Sequence, residues 1–538
     1  MAEPKQITLT IDGKPVTVPD GTTVLQACEK AASPVPFYCY HPGLSIAGNC
    51  RICLVEIEGL PKLQIACYIQ AVEGMVVNTT SDKTLNGRRD VLEFLLINHP
   101  LDCPVCDQAG ECWLQDYYMQ HGLYDPKFNE TKIKKPKAVP IGPTVMLDAE
   151  RCILCSRCVR FTDEITKTGE FGIFNRGDHS EIGIQPGKTL DNKYSGNVVD
   201  ICPVGALTDR DFRFKCRVWY LGETNSICPG CSRGCNIQIH YNREREWRPH
   251  IANGERVMRL KPRYNPDVNQ WWMCDEGRYG YRFIDEQRLA QVEIRERGQA
   301  RIGSWDEGLS LLSDTLKRLR DAKQLDQVGV VLSSHLTNED LYAAKRVFGA
   351  LGVTQVVFQR PPSGSKDNLL IQADKSPNAK GAQAMGIAEG ADGVLENMLH
   401  HRLSLLIVFT QDLAALFGEE SARQAAALEQ LVFIGTNKNK TSAAAHLVLP
   451  SAVFAEKDGT FTNFQGRIQR IHAALTPWGE SKPEWQILSE LASRLELPAA
   501  FVDAKSIFDQ LAQHEPSFRG FSYQSIGDQG AVLTQGAQ

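Results

Sequence analysis

The stretch HPLDCPVCDQAGECW, His99 to Trp113, sets out one histidine and three cysteines as His99-x3-Cys103-x2-Cys106-x5-Cys112. Three thiols at this spacing can hold three corners of a cubane [4Fe–4S] cluster, and His99 is the nearby side chain able to close the fourth. A neutral imidazole in place of a thiolate removes one negative charge and, other things equal, raises the reduction potential. Two readings compete with ligation. One is a Cys3His zinc site; the other is a histidine resting at a helix C-terminus, where the macrodipole favours it.

Three further groups follow from spacing alone. Cys39-x10-Cys50-x2-Cys53-x13-Cys67 offers four thiols on a loop and strands. That suits a [2Fe–2S] cluster, with Gly43 and Gly48 expected to bring backbone amides close to the sulfurs. The x10 and x13 gaps fit paired zinc ligands poorly. Cys152-x2-Cys155-x2-Cys158, with Cys202 before Pro203, is the bacterial-ferredoxin run plus its distant Cys-Pro partner. In two-cluster ferredoxins that distant cysteine serves the other cluster. Here the unit holds one complete set, which Cys202 most simply completes as a [4Fe–4S] site. Cys228-x2-Cys231-x3-Cys235 with Cys274 forms a fourth set, read as [4Fe–4S] with zinc as the alternative. Of the 17 cysteines only Cys28 and Cys216 remain; Cys28 shares the apolar face of a helix, and both are read as structural.

No cysteine lies beyond Cys274, so sulfur chemistry belongs to the first half of the chain. With no secretion signal, metal binding is favoured over disulfides. The 538 residues suggest three to five domains. A formal charge of −5 argues neither for nucleic acid nor for an anionic membrane surface. No stretch approaches the length of a membrane span, so membrane contact is expected only through partner subunits. The N-terminal stretch reads directly as a strand, and no processed leader is expected.

Several elements must position these groups. Ile7, Leu9 and Ile11 alternate before Asp12-Gly13, and Val16 and Val18 after it, a hairpin signal. A helix from about Thr23 carries Val24, Leu25 and Cys28. Strands are expected in CLVEIEG, LQIACYIQ and GMVVNTT. TLNGRRDVLEFLLIN is a helix striped by Val91, Leu92, Leu95 and Leu96, stopped by Pro100. Residues 127–140 read as a linker whose lysines form a solvated surface.

Beyond about residue 300, apolar runs (VGVVLSS, VTQVVF, LLIVF, LVFIGT, HLVLP) alternate with helical stretches, a βαβ pattern that predicts a largely parallel sheet with helices on both faces. The Gly- and Gln-rich end is expected to be loosely ordered. The domains expected are 1–80, 81–122, 141–220, 221–280 and 281–538: multidomain α+β, then α/β. No G-x-G-x-x-G or G-x-S-x-G occurs, and GIQPGKT (Gly183–Thr189) misses the P-loop by one residue. The chain is therefore not expected to bind NADH itself. His446 and His472 read as isolated surface or core histidines.

Taken in order, FYCYHPGLSIAGNCRICLVEI, HPLDCPVCDQAGECWLQD, RCILCSRCVRF with DICPVGALTD, and CPGCSRGC with CDEGR make the chain resemble the G subunits of proton-pumping NADH-quinone oxidoreductase, respiratory complex I. The second half resembles the molybdopterin oxidoreductase fold, most clearly in FAEKDGTFTNFQGRIQR (Phe454–Arg470).

The resemblance implies a β-grasp ferredoxin domain, a His-Cys cluster domain, a bacterial-ferredoxin-like domain and a molybdopterin-oxidoreductase-type cluster domain, then a shortened α/β scaffold. It implies an electron relay without a catalytic residue of its own. A flavin-bearing, NADH-oxidising partner would feed electrons to the set on Cys39. They would pass to the set on Cys152, then to the set on His99, and on through other peripheral-arm subunits toward quinone. It further implies a peripheral place on the cytoplasmic side of the bacterial inner membrane. The set on Cys228 would lie off this path.

Two departures stand out. Molybdopterin enzymes carry a lysine two residues after the last cluster cysteine, where this chain has Glu276. No cysteine remains to bind molybdenum, although a serine ligand is not excluded. No molybdopterin is expected. The alternative is the same cluster module in an NAD-linked hydrogenase or formate dehydrogenase, which predicts a hydrogenase-type cysteine set or a working molybdenum site downstream. A non-redox zinc scaffold is a third reading.

Overall fold

The structure, a computed structural model, describes residues 5–122, 124–125, 127–243, 255–296, 298–499 and 501–533. It divides into two compact units, Met1–Tyr220 and Leu221–Gln538.

In the first unit, β1 (Gln6–Ile11) and β2 (Lys14–Pro19) pair in register from Gln6↔Pro19 to Ile11↔Lys14. Asp12 and Gly13 both take positive φ, +47° and +80°, the conformation that a two-residue turn between right-twisted strands requires. Ile7, Leu9 and Ile11 face inward. A capping box of Thr23 and Gln26 starts α1 (Val24–Lys30), which buries Val24, Leu25, Ala27 and Cys28. With β3 (Leu54–Ile57), β4 (Gln64–Ile65) and β5 (Val76–Asn78) the sheet runs β2-β1-β5-β3-β4, β1 and β5 being parallel. The strand expected in LQIACYIQ shrinks to two residues. After Ile65 the chain leaves the sheet, and the carbonyls of Ala66 and Ile69 accept from Leu25 and Val24 of α1, each at 2.9 Å. That bend turns Cys67 inward.

Helix α2 (Asp82–Leu96) is capped by Ser81 and ends at Leu96, short of His99, so His99 does not cap it. The capping cation comes from the expected linker. Lys132 Nζ donates to the carbonyls of Leu96 (2.8 Å) and Ile97 (2.6 Å). Lys135 Nζ reaches Ser180 O at 2.5 Å, and Lys137 bridges Asp102 (2.9 Å) and Glu150 (2.8 Å). The solvated-surface reading of 127–140 is therefore corrected: three of its lysines tie the segment to the unit. Helix α3 (Trp113–His121), a sheet of β6 (Val139–Pro140), β7 (Val145–Leu147) and β10 (Leu207–Asp209), the hairpin β8 (Phe171–Phe174) and β9 (Glu181–Ile184), and helices α4 (Arg157–Arg160) and α5 (Asn197–Ile201) complete the unit.

The second unit opens with the antiparallel sheet β11 (Leu221–Ile227), β12 (Asn236–Asn242) and β13 (Val257–Pro262), followed by α6 (Asp275–Tyr279). Its main sheet has eight strands. A hairpin of β14 (Val292–Glu296) and β15 (Gln299–Gly303) forms the antiparallel edge. Helix α7 (Trp305–Asp321) leads to β16 (Val328–Ser333), and α8 (Asn338–Leu351) to β17 (Gln355–Gln359). β18 (Ala388–Glu389), β19 (Leu405–Phe409), β20 (Gln430–Gly435) and β21 (Leu447–Pro450) follow, all parallel to one another and to β16 and β17.

The expected βαβ texture is present, and alternation within single strands explains the two helix layers. In β19, Leu405, Ile407 and Phe409 join one core with Leu312, Phe348 and Leu488. Leu406 and Val408 join the opposite core with Val394, Met398 and Ala425. The strand order 21-20-19-16-17-18 reverses between β16 and β19.

FAEKDGTFTNFQGRIQR forms the hairpin of β22 (Gly459–Thr462) and β23 (Arg467–Ile471). Near the expected loose end, β24 (Ala531–Val532) pairs with β23, while 534–538 lie outside the described residues. Before the hairpin, Lys457 is buried, bonded to Asp340 Oδ2 (2.7 Å) and to Glu484. Asp340 also closes the capping box of α8 with Thr337 and accepts from Trp485 N at 3.0 Å. One ammonium thus joins the hairpin segment to α8 and the helix Glu484–Arg494. Burial pushes Glu484 up to about 7; despite burial, Asp340 and Glu484 hold Lys457 charged. Removing Lys457 would leave two carboxylates buried without a cation, so Lys457→Met is expected to cost roughly 3–5 kcal/mol in urea unfolding. Lys505→Met, at an exposed pair, should change stability by under about 0.5 kcal/mol; equal losses in the two variants would refute the role given to Lys457.

Candidate metal centres

Each of the four sequence groups meets in space. The sulfurs of Cys39, Cys50, Cys53 and Cys67 lie in mutual hydrogen-bond contact. Cys39 lies within hydrogen-bond reach of Cys50 and Cys67, and Cys53 of Cys67, contacts that push the Cys39 and Cys53 thiols down. Cys50 and Cys67 are pushed up in turn. Arg51 and Gly48 take positive φ in the loop (+60° and +61°), and Cys39 N approaches Cys50 Sγ at 3.4 Å. Gly43 departs from expectation: its amide bonds His41 Nδ1 at 3.1 Å, not a sulfur.

His99, Cys103, Cys106 and Cys112 line one cavity with Arg151, Gln115 and Gly205, enclosing about 300 Å³ of non-atom space. His99 Nδ1 is buried without a hydrogen-bond partner. Burial, with Arg151 and the nearby lysines, pushes the imidazole down to about 4, so it is neutral at physiological pH, as a metal ligand must be. A Cβ on Gly205 would stand 2.3 Å from Cys106 Sγ; the cavity needs glycine there.

Cys152, Cys155, Cys158 and Cys202 ring a third cavity, of about 360 Å³. Between the cysteines, Leu154 and Ser156 take positive φ (+55° and +59°), curling the loop so that three thiols face one centre. Leu154 N points to Cys152 Sγ at 3.3 Å. Cys228, Cys231, Cys235 and Cys274 ring a cavity of about 380 Å³ in the second unit, roofed by Leu370 and Ile371. Cys274 caps α6, and Gly277 N lies 3.4 Å from its sulfur. A Cβ on Gly277 would press Cys228 Sγ at 2.9 Å. Among the described residues, no three His, Cys, Asp or Glu side chains converge on a single ion's position. The donor chemistry, the orphaned imidazole nitrogen and the glycine cradles fit clusters at these sites.

The positive charge around the sets was not singled out from the sequence. Arg157, between Cys155 and Cys158, is 2% exposed. It donates to Ile201 O (2.9 Å), beside Cys202, and to Tyr40 O (2.5 Å), beside Cys39. Its guanidinium lies 4.6 Å from the centre of the Trp113 ring, beside Cys112. Arg160 donates to Cys39 O (2.5 Å) and Cys155 O (3.2 Å), and Arg217 to Cys106 O (2.6 Å). Arg151 pairs with Asp102 at 2.7 Å. Trp113 N bonds Pro203 O at 3.0 Å and Asn49 Nδ2 bonds Leu154 O at 3.1 Å. Members of the three sets in this unit share one apolar cluster, formed around Tyr38, Cys39, Ile52, Leu92, Leu114 and Cys155, with Cys50, Cys112, Cys152 and Cys202 packed against it. The available signal was the three arginines inside RCILCSRCVRF, Arg151, Arg157 and Arg160. Cys28, at 0% exposure, and Cys216 are both buried, and Cys28 packs in the core of the first sheet.

Family models match in order along the chain. They are a 2Fe-2S iron-sulfur cluster binding domain (4–82), the NADH-ubiquinone oxidoreductase-G iron-sulfur binding region (88–127), the ferredoxin-like domain of NADH-quinone oxidoreductase subunit 3 (142–208), the molybdopterin oxidoreductase Fe4S4 domain (222–286) and molybdopterin oxidoreductase (406–494). The NADH-quinone oxidoreductase G subunit of Rickettsia bellii is 31% identical, over 95% of this chain and 90% of its own length. The mitochondrial NADH-ubiquinone oxidoreductase 78 kDa subunit of Neurospora crassa is 40% identical over 68% of this chain and 47% of its own. A solved chain of an NAD+-reducing [NiFe]-hydrogenase in the H2-reduced state is 31% identical, covers 39% of this chain and 91% of that one, and has a TM-score of 0.36.

In the metal-free chain, burial pushes the thiols of Cys112 and Cys274 up to about 11 and that of Cys202 up to about 12. They stay protonated at neutral pH, whereas cluster ligation needs thiolates, so loading must expel protons. Anaerobic reconstitution of stripped protein, followed by iron content, should be less complete at pH 6.5 than at pH 8.5. The same shift makes the metal-free fold bind more protons than the unfolded chain above about pH 9, so its stability should fall as pH rises from there toward 12. Loading independent of pH would contradict this account.

Proposed function

Because this chain belongs to the family of NADH-quinone oxidoreductase G subunits, we infer that it is an iron–sulfur electron-relay subunit of that enzyme complex. Cys39, Cys50, Cys53 and Cys67 would hold a [2Fe–2S] cluster. The sets on His99, Cys152 and Cys228 would each hold a [4Fe–4S] cluster. Bound there, the clusters supply one-electron acceptance and release without bond making. The chain's own residues do the rest. The apolar cluster around Tyr38, Ile52 and Leu114 shields the sulfurs of Cys39 and Cys155 from water. Arg157 and Arg160 offset the charge of the four-thiolate sets, and Arg151 and Arg217 that of the three thiolates beside His99. Gly205 and Gly277 keep the cavities open. The observation that carries this reading is that residues of three donor sets meet in a single apolar cluster, the arrangement a short-range relay needs.

Other members of the complex are the partners. An NADH-oxidising flavin subunit on the donor side and further peripheral-arm subunits toward quinone are the proposed ones, with the chain on the cytoplasmic side of the inner membrane. Among the described residues no helix is long and apolar enough to cross a membrane. The domain limits drawn from the sequence remain part of this reading.

Iron, zinc and molybdenum per chain, measured on anaerobically purified protein, test the reading. Full sites predict about 14 iron and neither zinc nor molybdenum in stoichiometric amount. His99→Ala should lose up to about four iron and one spectroscopic signal, leaving the other sets filled. An unchanged iron count and spectrum in His99→Ala would remove His99 from the ligands, and stoichiometric zinc would overturn the relay.

A further inference from the structure

A second cavity lies in the Leu221–Gln538 unit, with about 1160 Å³ of non-atom space including its mouth. It shares Cys228, Gly230, Glu276 and Gly277 with the wall of the fourth donor set. Ser333 ends β16 and His335 follows it, Thr410 and Gln411 follow β19, and all four line it. These are the carboxyl ends of the two neighbouring strands between which the strand order reverses. In an open parallel sheet that crevice is where ligands bind.

Molybdopterin, the group that this fold family implies, does not fit the residues present. Its phosphate needs a cation, and Lys457, the one lysine or arginine on the wall among the described residues, is already held by Asp340 and Glu484. At the position of the cluster-to-cofactor lysine stands Glu276, bonded at 2.7 and 2.8 Å to Lys375.

The rest of the wall is uncharged. Thr410 Oγ1 is buried without a partner, on a residue in a left-handed conformation (φ +54°), a strain that functional sites commonly hold. The His335 side chain is exposed at the cavity wall, and its surroundings favour the uncharged imidazole. Phe283, Phe454, Leu260 and Pro361 supply apolar surface.

We propose that this cavity binds an uncharged, planar, hydrogen-bonding ring compound between the apolar wall and the Thr410–His335 edge, beside the Cys228 donor set. A phosphate-bearing compound is disfavoured because an anion there would be buried without a counter-charge. Neither the iron content nor the relay is needed for this binding, so its failure would leave the proposed function standing.

Equilibrium dialysis of the full, cluster-loaded chain against lumiflavin, 6-hydroxymethylpterin and menadione, each uncharged, tests it. Flavin mononucleotide serves as the phosphorylated counterpart of lumiflavin. At least one uncharged probe should bind one to one. For that probe Thr410→Val should weaken binding about two- to tenfold, the effect of one hydrogen bond. His335→Leu, at a second point on the edge and so independent of how Thr410→Val folds, should do the same, with iron content unchanged in both. Flavin mononucleotide should bind at least tenfold more weakly than lumiflavin, or not at all if menadione or the pterin is the compound retained. The proposal is overturned if none of the three binds, if flavin mononucleotide binds as tightly as the best of them, or if both variants, folded and iron-loaded, keep wild-type affinity.

Discussion

A guanidinium sealed inside a protein needs negative charge nearby, and in the first unit that requirement shapes everything else. Arg157 is 2% exposed, and among the described residues no carboxylate pairs with it. Its bonds go to the carbonyls of Tyr40 and Ile201 and its face to Trp113. Burial pulls its pKa down, and the thiols of Cys155, Cys202 and Cys50 oppose that. A buried cation without a carboxylate is costly unless the surroundings are anionic, as four-thiolate clusters bound beside it would make them. Each contact of Arg157 is one residue away from a donor of a different set. One side chain thus links residues that adjoin donors of three sets, and its charge would favour the reduced forms of clusters bound there.

In the second unit the sheet keeps the architecture of a ligand-binding fold. The reversal of strand order, the crevice above it and the adjoining donor set are all present. The charges have been rearranged. Glu276 is turned to Lys375, and Lys457 is committed to Asp340 and Glu484, where it fastens the hairpin segment to two helices. A cation spent on holding the scaffold together is not available to a phosphate.

Patterns within short windows were legible in the sequence. The donor groups, spaced by two to thirteen residues apart from Cys202 and Cys274, meet as their spacing implied. The Asp12-Gly13 hairpin and the parallel strands were announced by alternation and by apolar runs. What escaped depended on partners far away in sequence. Arg157 bonds residues 117 and 44 positions away, and within RCILCSRCVRF it reads only as a charge between cysteines. Lys132, Lys135 and Lys137 look like solvated linker residues until the carbonyls and carboxylates they reach, as far as 45 positions away, are placed beside them. LQIACYIQ has the composition of a strand, but bonds to α1 bend it out of the sheet. Gly43 sits beside the first set, yet its amide serves His41.

The most direct test of the central claim is a potentiometric titration, followed by electron paramagnetic resonance, of wild-type protein and Arg157→Gln. Removing one positive charge about 6–10 Å away, at an effective dielectric constant of about 20, should lower a one-electron potential by roughly 70–120 mV. At least two of the three sets in the first unit should shift downward by that order. Unchanged potentials in all three would contradict the account of Arg157 as the charge that holds and tunes the relay.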